Sequence, residues 1–365
     1  MAVNSRAELR KKAIFFTLSA VLIGSLFMMY FSSQDFLSFR ERAERAQVRV
    51  TAVNNFAENF EKVYVPRALF ALTHKSFDSI TEFVVSKKVD EGVDFRIENI
   101  TAVLEQSIMN GTIRNNLGVD VGLPGMEGLN ISTWLDNLTN ISQEQMNIII
   151  RYNLTSIRIY QPGAWTVNVS MIMGYNLTSP GVMSIVRPQV QVSTILKLDG
   201  VEDPLISIAT NRIVVRHINR SGIDLEDQGL TGMQTVIDNG LYIYQNKSAP
   251  SFLMRFEGNL SPSACCGIES LVSKEMLDTL QTELGIDPYL DKSYADYQYF
   301  ADEFDPLFPG MCRRSNKESG GNLYNYTGIS DDPEEADPFP FRVDEFHANI
   351  IYPYAENEEM DVGCS

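Results

Sequence analysis

An uncharged run of eighteen residues, Ile14 to Phe31 (IFFTLSAVLIGSLFMMYF), lies near the start of the chain and restricts what the rest can become. As a helix it spans about 27 Å, close to the ~30 Å of a bilayer's hydrocarbon. Ala13, Ser32 and Ser33 can extend it. A cleaved signal peptide has a shorter apolar region, about 7–15 residues, before a small-residue site. The run here is longer, and no clear A-x-A site follows it. It predicts an uncleaved anchor over residues 13–33, with membrane lipid as the first partner. Arg6, Arg10, Lys11 and Lys12 precede the run, so a basic tail (1–12) is expected in the cytoplasm and the bulk of the chain outside. Arg40, Arg42 and Arg45 on the far side weaken the charge bias.

Beyond the span, Phe39, Ala43, Ala46, Val50, Val53, Ala57, Phe60 and Tyr64 keep a 4-3 spacing, the apolar seam of a packed helix. No Gly or Pro occurs from Leu26 to Val65, so the anchor is expected to run on as a rod of about 50 residues, roughly 75 Å. Pro66 is expected to end or kink it and to open a second helix over Arg67–Val85, with a third near Ile97–Met109. The seam has two readings: self-association with a second copy as a coiled-coil stalk, or packing on the chain's own domain. Its small Ala residues favour the second.

Twelve N-x-[ST] triplets follow the span, where chance gives about three. They begin at Asn99, Asn110, Asn130, Asn137, Asn140, Asn153, Asn168, Asn176, Asn219, Asn246, Asn259 and Asn325. The excess on one side of an anchor predicts a glycosylated ectodomain. Asn168 sits inside a strand-like run and is read as unmodified. The competing reading is that Asn, Ser and Thr simply fill turns.

The four cysteines, Cys265, Cys266, Cys312 and Cys364, all lie late in the chain. On an oxidising side they are expected to form disulfides. Adjacent cysteines rarely bond each other. That leaves 265–312 with 266–364, or 265–364 with 266–312. A zinc site lacks C-x₂-C spacing and nearby His. The net charge of −17 is concentrated late, with 19 acidic against 5 basic residues from Glu283 to Ser365. Such a tail repels nucleic acid.

The 44% hydrophobic composition excludes a wholly disordered chain. Expected organisation is a helical segment (34–110), a β-rich extracellular domain (111–260) and an acidic, disulfide-containing region (261–365), an α+β chain. Gly118, Gly122, Pro124, Gly125 and Gly128 read as a linker or loop. Strands are expected at Asn147–Tyr152, Ser156–Gln161, Ala164–Gly174, Val190–Leu198, Leu205–Ala209, Arg212–Ile218 and Ser251–Phe256. In the third, Trp165, Val167, Val169, Met171 and Met173 share one face. Close spacing suggests an antiparallel sheet. Leu230–Gln245 reads as mixed helix and Ile268–Leu284 as helix.

Catalytic signals are few. His74, His217 and His347 are the only histidines, and no H-E-x-x-H, G-x-S-x-G, GxxxxGK[ST] or D-x-D occurs. Asp302, Glu303 and Asp305 can offer oxygen ligands to Ca²⁺, without an EF-hand loop around them.

The blocks AWTVNVS (Ala164–Ser170), GVEDPL (Gly200–Leu205), APSFLMRFEG (Ala249–Gly258), GIESLV (Gly267–Val272) and DEFHANIIY (Asp344–Tyr352), together with the anchor, resemble archaeal pilin-like cell-surface proteins. The resemblance implies surface structure or adhesion, and other surface or pilus-like proteins as partners. It implies no catalytic residues. Two features depart from a processed pilin: Lys12–Ala13 fits the peptidase site loosely, and IFFTLSAV lacks an early acidic residue. Within GVEDPL, Asp203–Pro204 is expected to shape a loop and bind nothing. The alternative function is an exported carboxylate- or metal-dependent hydrolase acting on carbohydrate. A receptor ectodomain is a third.

Overall fold

A computed structural model describes residues 21–30, 43–93, 95–115, 118–246, 248–285 and 293–300, with 323–326, 341–344, 347 and 359–360 beyond them. The fold is α+β: helices packed on antiparallel sheets. Residues 21–30 are helical, and their side chains, Leu22, Phe27 and Met28 among them, are exposed. Among the described residues no helix is long and apolar enough to cross a membrane. The rest of the 13–33 segment lies outside the described residues.

Helix α1 (43–59) passes through a wider π-turn, Phe60–Tyr64, directly into α2 (Val65–Glu91). Proline lacks an N–H and its ring crowds the carbonyl four residues back. Pro66 would otherwise bond Lys62, and the Val65 N–H instead reaches back to Phe60 O. The expected break at Pro66 is therefore absorbed as a π-turn, although Pro66 does occupy the first turn of α2 as anticipated. The 4-3 seam divides along its length. Ala43 and Ala46 are exposed, whereas Val53, Ala57 and Phe60 are buried. The far half thus packs on the chain's own domain.

α2 is the central helix. It buries Leu69, Phe77, Ile80 and Phe83, and also small polar residues, of which Ser76 accepts from Ser107 at 2.8 Å. α3 (Ile100–Asn110) and α4 (Ile131–Met146) begin at Asn99 and Asn130, whose Oδ1 atoms accept from Ala102 N and Thr133 N. Side-chain caps of this kind satisfy amides that a helix start leaves open. The glycine-rich stretch between these helices holds turns at Gly118 and Pro124–Gly128, within the linker or loop expected there, and adds a short hairpin, β1 (Thr112–Arg114) with β2 (Asp120–Gly122).

β3 (Ile149–Gly163), β4 (Thr166–Ser179) and β5 (Met183–Lys197) form an antiparallel meander. The two short runs expected over 147–161 are one long strand, interrupted by a bulge between Leu154 and Ser156. The alternation in β4 is as read: Val167, Val169, Met171 and Met173 are fully buried. Period-2 patterning places them on the helix-covered face. Gly174 sits at a second irregularity, where a Cβ would meet Pro188 O at 2.6 Å.

Past the meander, several expected strands are helices. Leu205–Ala209 belongs to α5 (Pro204–Ala209) and Ser251–Phe256 to α7 (Phe252–Glu257). Both are short and rich in buried apolar residues, so periodicity cannot tell strand from helix there. Arg212–Ile218 forms only an isolated bridge, Glu202 to His217. Leu230–Gln245 resolves into α6 (Leu225–Asp238) and β6 (Tyr242–Tyr244). Ile268–Leu284 splits into β7 (Ile268–Ser270) and α8 (Lys274–Leu284), which Ser273 caps. After α9 (Asp296–Tyr299) come β8 (Leu323–Tyr326), β9 (Phe341–Asp344) and β10 (Glu359–Met360), in the order β10-β8-β9.

Two apolar cores result. The first joins α1, α2, the meander and α7. The second gathers α5, α6, α8, α9 and Val343.

Candidate functional site

Among the described residues, the densest group of buried charges lies where these cores meet. Arg255, on α7, sits between Leu253 and Phe256 of the first core, and Asp296 between Ala295 and Tyr297 of the second. Both are fully enclosed, as is Asp203 at the start of α5. Arg255 Nε donates to Asp203 Oδ1 at 3.0 Å and Nη2 to Oδ2 at 2.7 Å. Nη2 also donates to Asp296, and Nη1 to Ile268 O at 3.0 Å. The paired guanidinium–carboxylate fork is the strong, directional form of ion pair.

Each carboxylate is satisfied further. Asp203 accepts from Leu205 N (2.9 Å), capping α5, and from Tyr242 Oη (2.6 Å). Asp296 accepts from Ser270 N (3.0 Å) and Tyr297 N (2.6 Å). Arg216 completes the surround by donating to Ser270 Oγ and Leu271 O. Burial works against the Arg255 charge, but Asp203 and Asp296 hold it, so its pKa stands well above the usual value. Burial pushes the Asp296 carboxyl up, against the pull of Arg255. Burial, then the Asp203 charge, pushes the Tyr242 phenol well up.

Beside this cluster, His347 Nε2 lies 2.9 Å from Glu269 Oε1, both side chains fully buried. Glu269 Oε2 is enclosed without a hydrogen-bond partner among the described residues. Gly267 begins this β7 block, and a Cβ there would meet Gln245 O at 2.2 Å and Ala249 O at 2.4 Å. Only glycine lets these backbones approach. The blocks GVEDPL, APSFLMRFEG, GIESLV and DEFHANIIY therefore meet in one place, through Asp203, Arg255, Glu269 with Ser270, and His347. Asp203–Pro204 was expected to shape a loop and instead opens α5, with Asp203 capping that helix and gripping an arginine. Because Arg255 and both aspartates are fully enclosed, no outside molecule reaches this triad, and its chemistry is that of a bolt between two cores.

The cysteine expectation is also corrected. Cys265 and Cys266 are bonded to each other, so neither pairs with Cys312 or Cys364. The bond is seated beside β3: Cys266 Sγ lies 3.4 Å from Gln161 O, and Gln161 Oε1 accepts from Leu253 N. Cys266 is buried and Cys265 exposed, so one residue of the bonded pair faces solvent. Cys312 and Cys364 lie outside the described residues, as do Asp302, Glu303 and Asp305. No group of three or more metal-ligating side chains occurs among the described residues.

Of the sequon asparagines, Asn99, Asn110, Asn137, Asn140, Asn153, Asn219 and Asn259 are exposed. Asn130, Asn168, Asn176 and Asn246 are partly buried, and Asn325 lies on β8. The turn-filling reading explains Asn99 and Asn130, which cap helices.

Sequence reasoning passed over Arg255 and Glu269, each set among apolar residues of its block. That pattern is itself a signal, since a charge flanked by core residues has to find a partner. Comparison with family models, with curated proteins and with solved structures found no match.

Proposed function

We propose that the chain is a single-pass, glycosylated cell-surface protein with a structural or adhesive role and a pilin-like plan. The observation that carries this reading is the uncharged run Ile14–Phe31. Its side chains favour lipid over water, and Arg6, Arg10, Lys11 and Lys12 favour the cytoplasmic side. The described part of the run supports it: residues 21–30 are helical and clad in exposed apolar side chains. Further support comes from α1. Its far end, from Val53, is built into the core of the head, so a pull on the anchor is passed into the fold by packing. Exposed sequons spread across the head agree with export.

Immunogold labelling of intact cells tests this. Label on the outer surface is expected, and label confined to the cytoplasm ends the reading.

A further inference from the structure

We propose that the outer face of the β3–β4–β5 sheet is covered by the chain's own N-linked glycans, carried on Asn168 and Asn176. The inference rests on the export and glycosylation reading above and goes beyond it by naming the acceptors and the surface they shield. It reverses the expectation that Asn168 stays unmodified.

Among the described residues, helices cover one face of the meander and none packs on the other. Three large apolar side chains stand out on it: Tyr160 is 51% exposed, Ile195 58% and Val186 60%. Singly exposed apolar residues need no explanation. These three share a relationship, however. Tyr160 and Ile195 are the direct cross-strand partners of Asn168, one on each side. Val186 is the direct cross-strand partner of Asn176. Directly opposed residues in an antiparallel sheet project from the same face, with Cβ atoms about 5 Å apart. Each exposed apolar side chain of the sheet thus lies within one residue's reach of a glycan acceptor. The first sugar on Asn168 would rest its C–H face on Tyr160 and Ile195, and that on Asn176 would overlie Val186.

One more observation agrees. Asn176 Oδ1 accepts from Thr178 Oγ1 at 3.2 Å and Ser184 Oγ at 2.8 Å, which holds the acceptor amide by its oxygen.

The charge of the sheet suits the reaction. No Asp or Glu occurs between Glu144 and Asp199, in a chain of net charge −17, while Arg151 and Arg158 are exposed on β3. The co-reactant is a glycosyl phosphate donor presented by a separate transferase. Asn Nδ2 attacks the anomeric carbon, the N–C bond forms and the C–O bond to phosphate breaks. The phosphate leaves with the electron pair, and one Nδ2 proton passes to the transferase's base. Arg151 and Arg158 are the cross-strand partners of Asn176 and Ser170, so an anionic donor approaching that face meets two exposed positive charges.

The test is glycopeptide mapping of the full-length protein from its own cells. Trypsin should release residues 159–197 as one peptide, because Pro188 follows Arg187. That peptide is expected to carry one glycan mass on Asn168 and one on Asn176. If it is unmodified while glycans occupy Asn137 or Asn219, this inference falls and the surface reading stands. If no sequon carries sugar, both fall. Asn176→Gln, and Ser170→Ala as the milder way to abolish the Asn168 sequon, should each raise binding of an apolar-surface dye severalfold. Adding Val186→Thr to Asn176→Gln should reverse the rise. Unchanged dye binding after the sugar is lost would overturn the covering role.

Discussion

Arg255 grips the carboxylate of Asp203 through two parallel hydrogen bonds, Nε to Oδ1 at 3.0 Å and Nη2 to Oδ2 at 2.7 Å, with both side chains sealed from solvent. Removing one partner strands the other charge inside the protein. Arg255→Ala and Asp203→Ala are each expected to cost about 3–5 kcal/mol. Arg255→Lys keeps the charge, loses the fork and should fall between these and wild type. Urea unfolding of the detergent-solubilised full-length chain measures all three. A loss under about 1 kcal/mol for both alanine variants would refute the bolt.

The head should weaken at alkaline pH. Burial, then the hydrogen bond to Glu61, raises the Tyr175 phenol above its ordinary 10.0, and Tyr242 is raised as well. Both phenols keep their protons in the folded state after the unfolded chain has begun to lose them. Above about pH 10 the native state therefore binds more protons, and stability falls as pH rises. Below that point their contribution is fully present. Asp296, also raised, acts with the same sign lower down: its contribution is complete below the ordinary carboxylate range and diminishes as pH climbs from there. Urea midpoints followed from about pH 8 to about pH 11 should decline, less steeply in Tyr175→Phe. A flat profile in the wild type contradicts the assignment.

The two halves of the α1 seam should respond differently to a charge. Ala46 is exposed, so Ala46→Glu is expected to alter stability by less than about 0.5 kcal/mol. Ala57 is buried in the first core, and Ala57→Glu should cost at least about 3 kcal/mol. Thermal unfolding monitored by circular dichroism separates the two. A strong effect of Ala46→Glu on oligomer size would instead restore the two-copy stalk.

Trypsin should release Phe256–Lys274 as a single peptide holding both adjacent cysteines. Without reductant it is expected to be two hydrogens lighter than its thiol form and unlinked to any other peptide, as the Cys265–Cys266 bond requires. A cross-link to the peptide of Cys312 or Cys364 would bring back the long-range pairings.

Legibility along the chain followed the length of the pattern. β4 was readable because the seven residues from Trp165 to Met171 alternate apolar and polar, a period that only a strand satisfies. α3 was readable from its apolar spacing. Leu205–Ala209 and Ser251–Phe256 were not, because segments of five or six mostly apolar residues fit either geometry. Their helix-start signals, Asp203–Pro204 and Ser251, were present but carried less weight than composition. α4 was hidden by its own sequons, since Asn137 and Asn140 resemble turn residues yet ride the exposed side of a helix. The ionic bolt was beyond sequence logic in another way. Its members are 52 and 41 residues apart, and only the closing of both cores brings them together.

That separation also sets an order of assembly. A chain made from its N-terminus presents Asp203 first, Arg255 next and Asp296 last. Until the final carboxylate emerges, the second core lacks α9, and the guanidinium has only one of its two anionic partners. Long-range closure of this type is intrinsically slow. The joint therefore acts as a completion signal: the head cannot lock until some three hundred residues have left the ribosome, and a truncated product that stops short of Asp296 carries an unclosed interior that quality-control proteases can recognise.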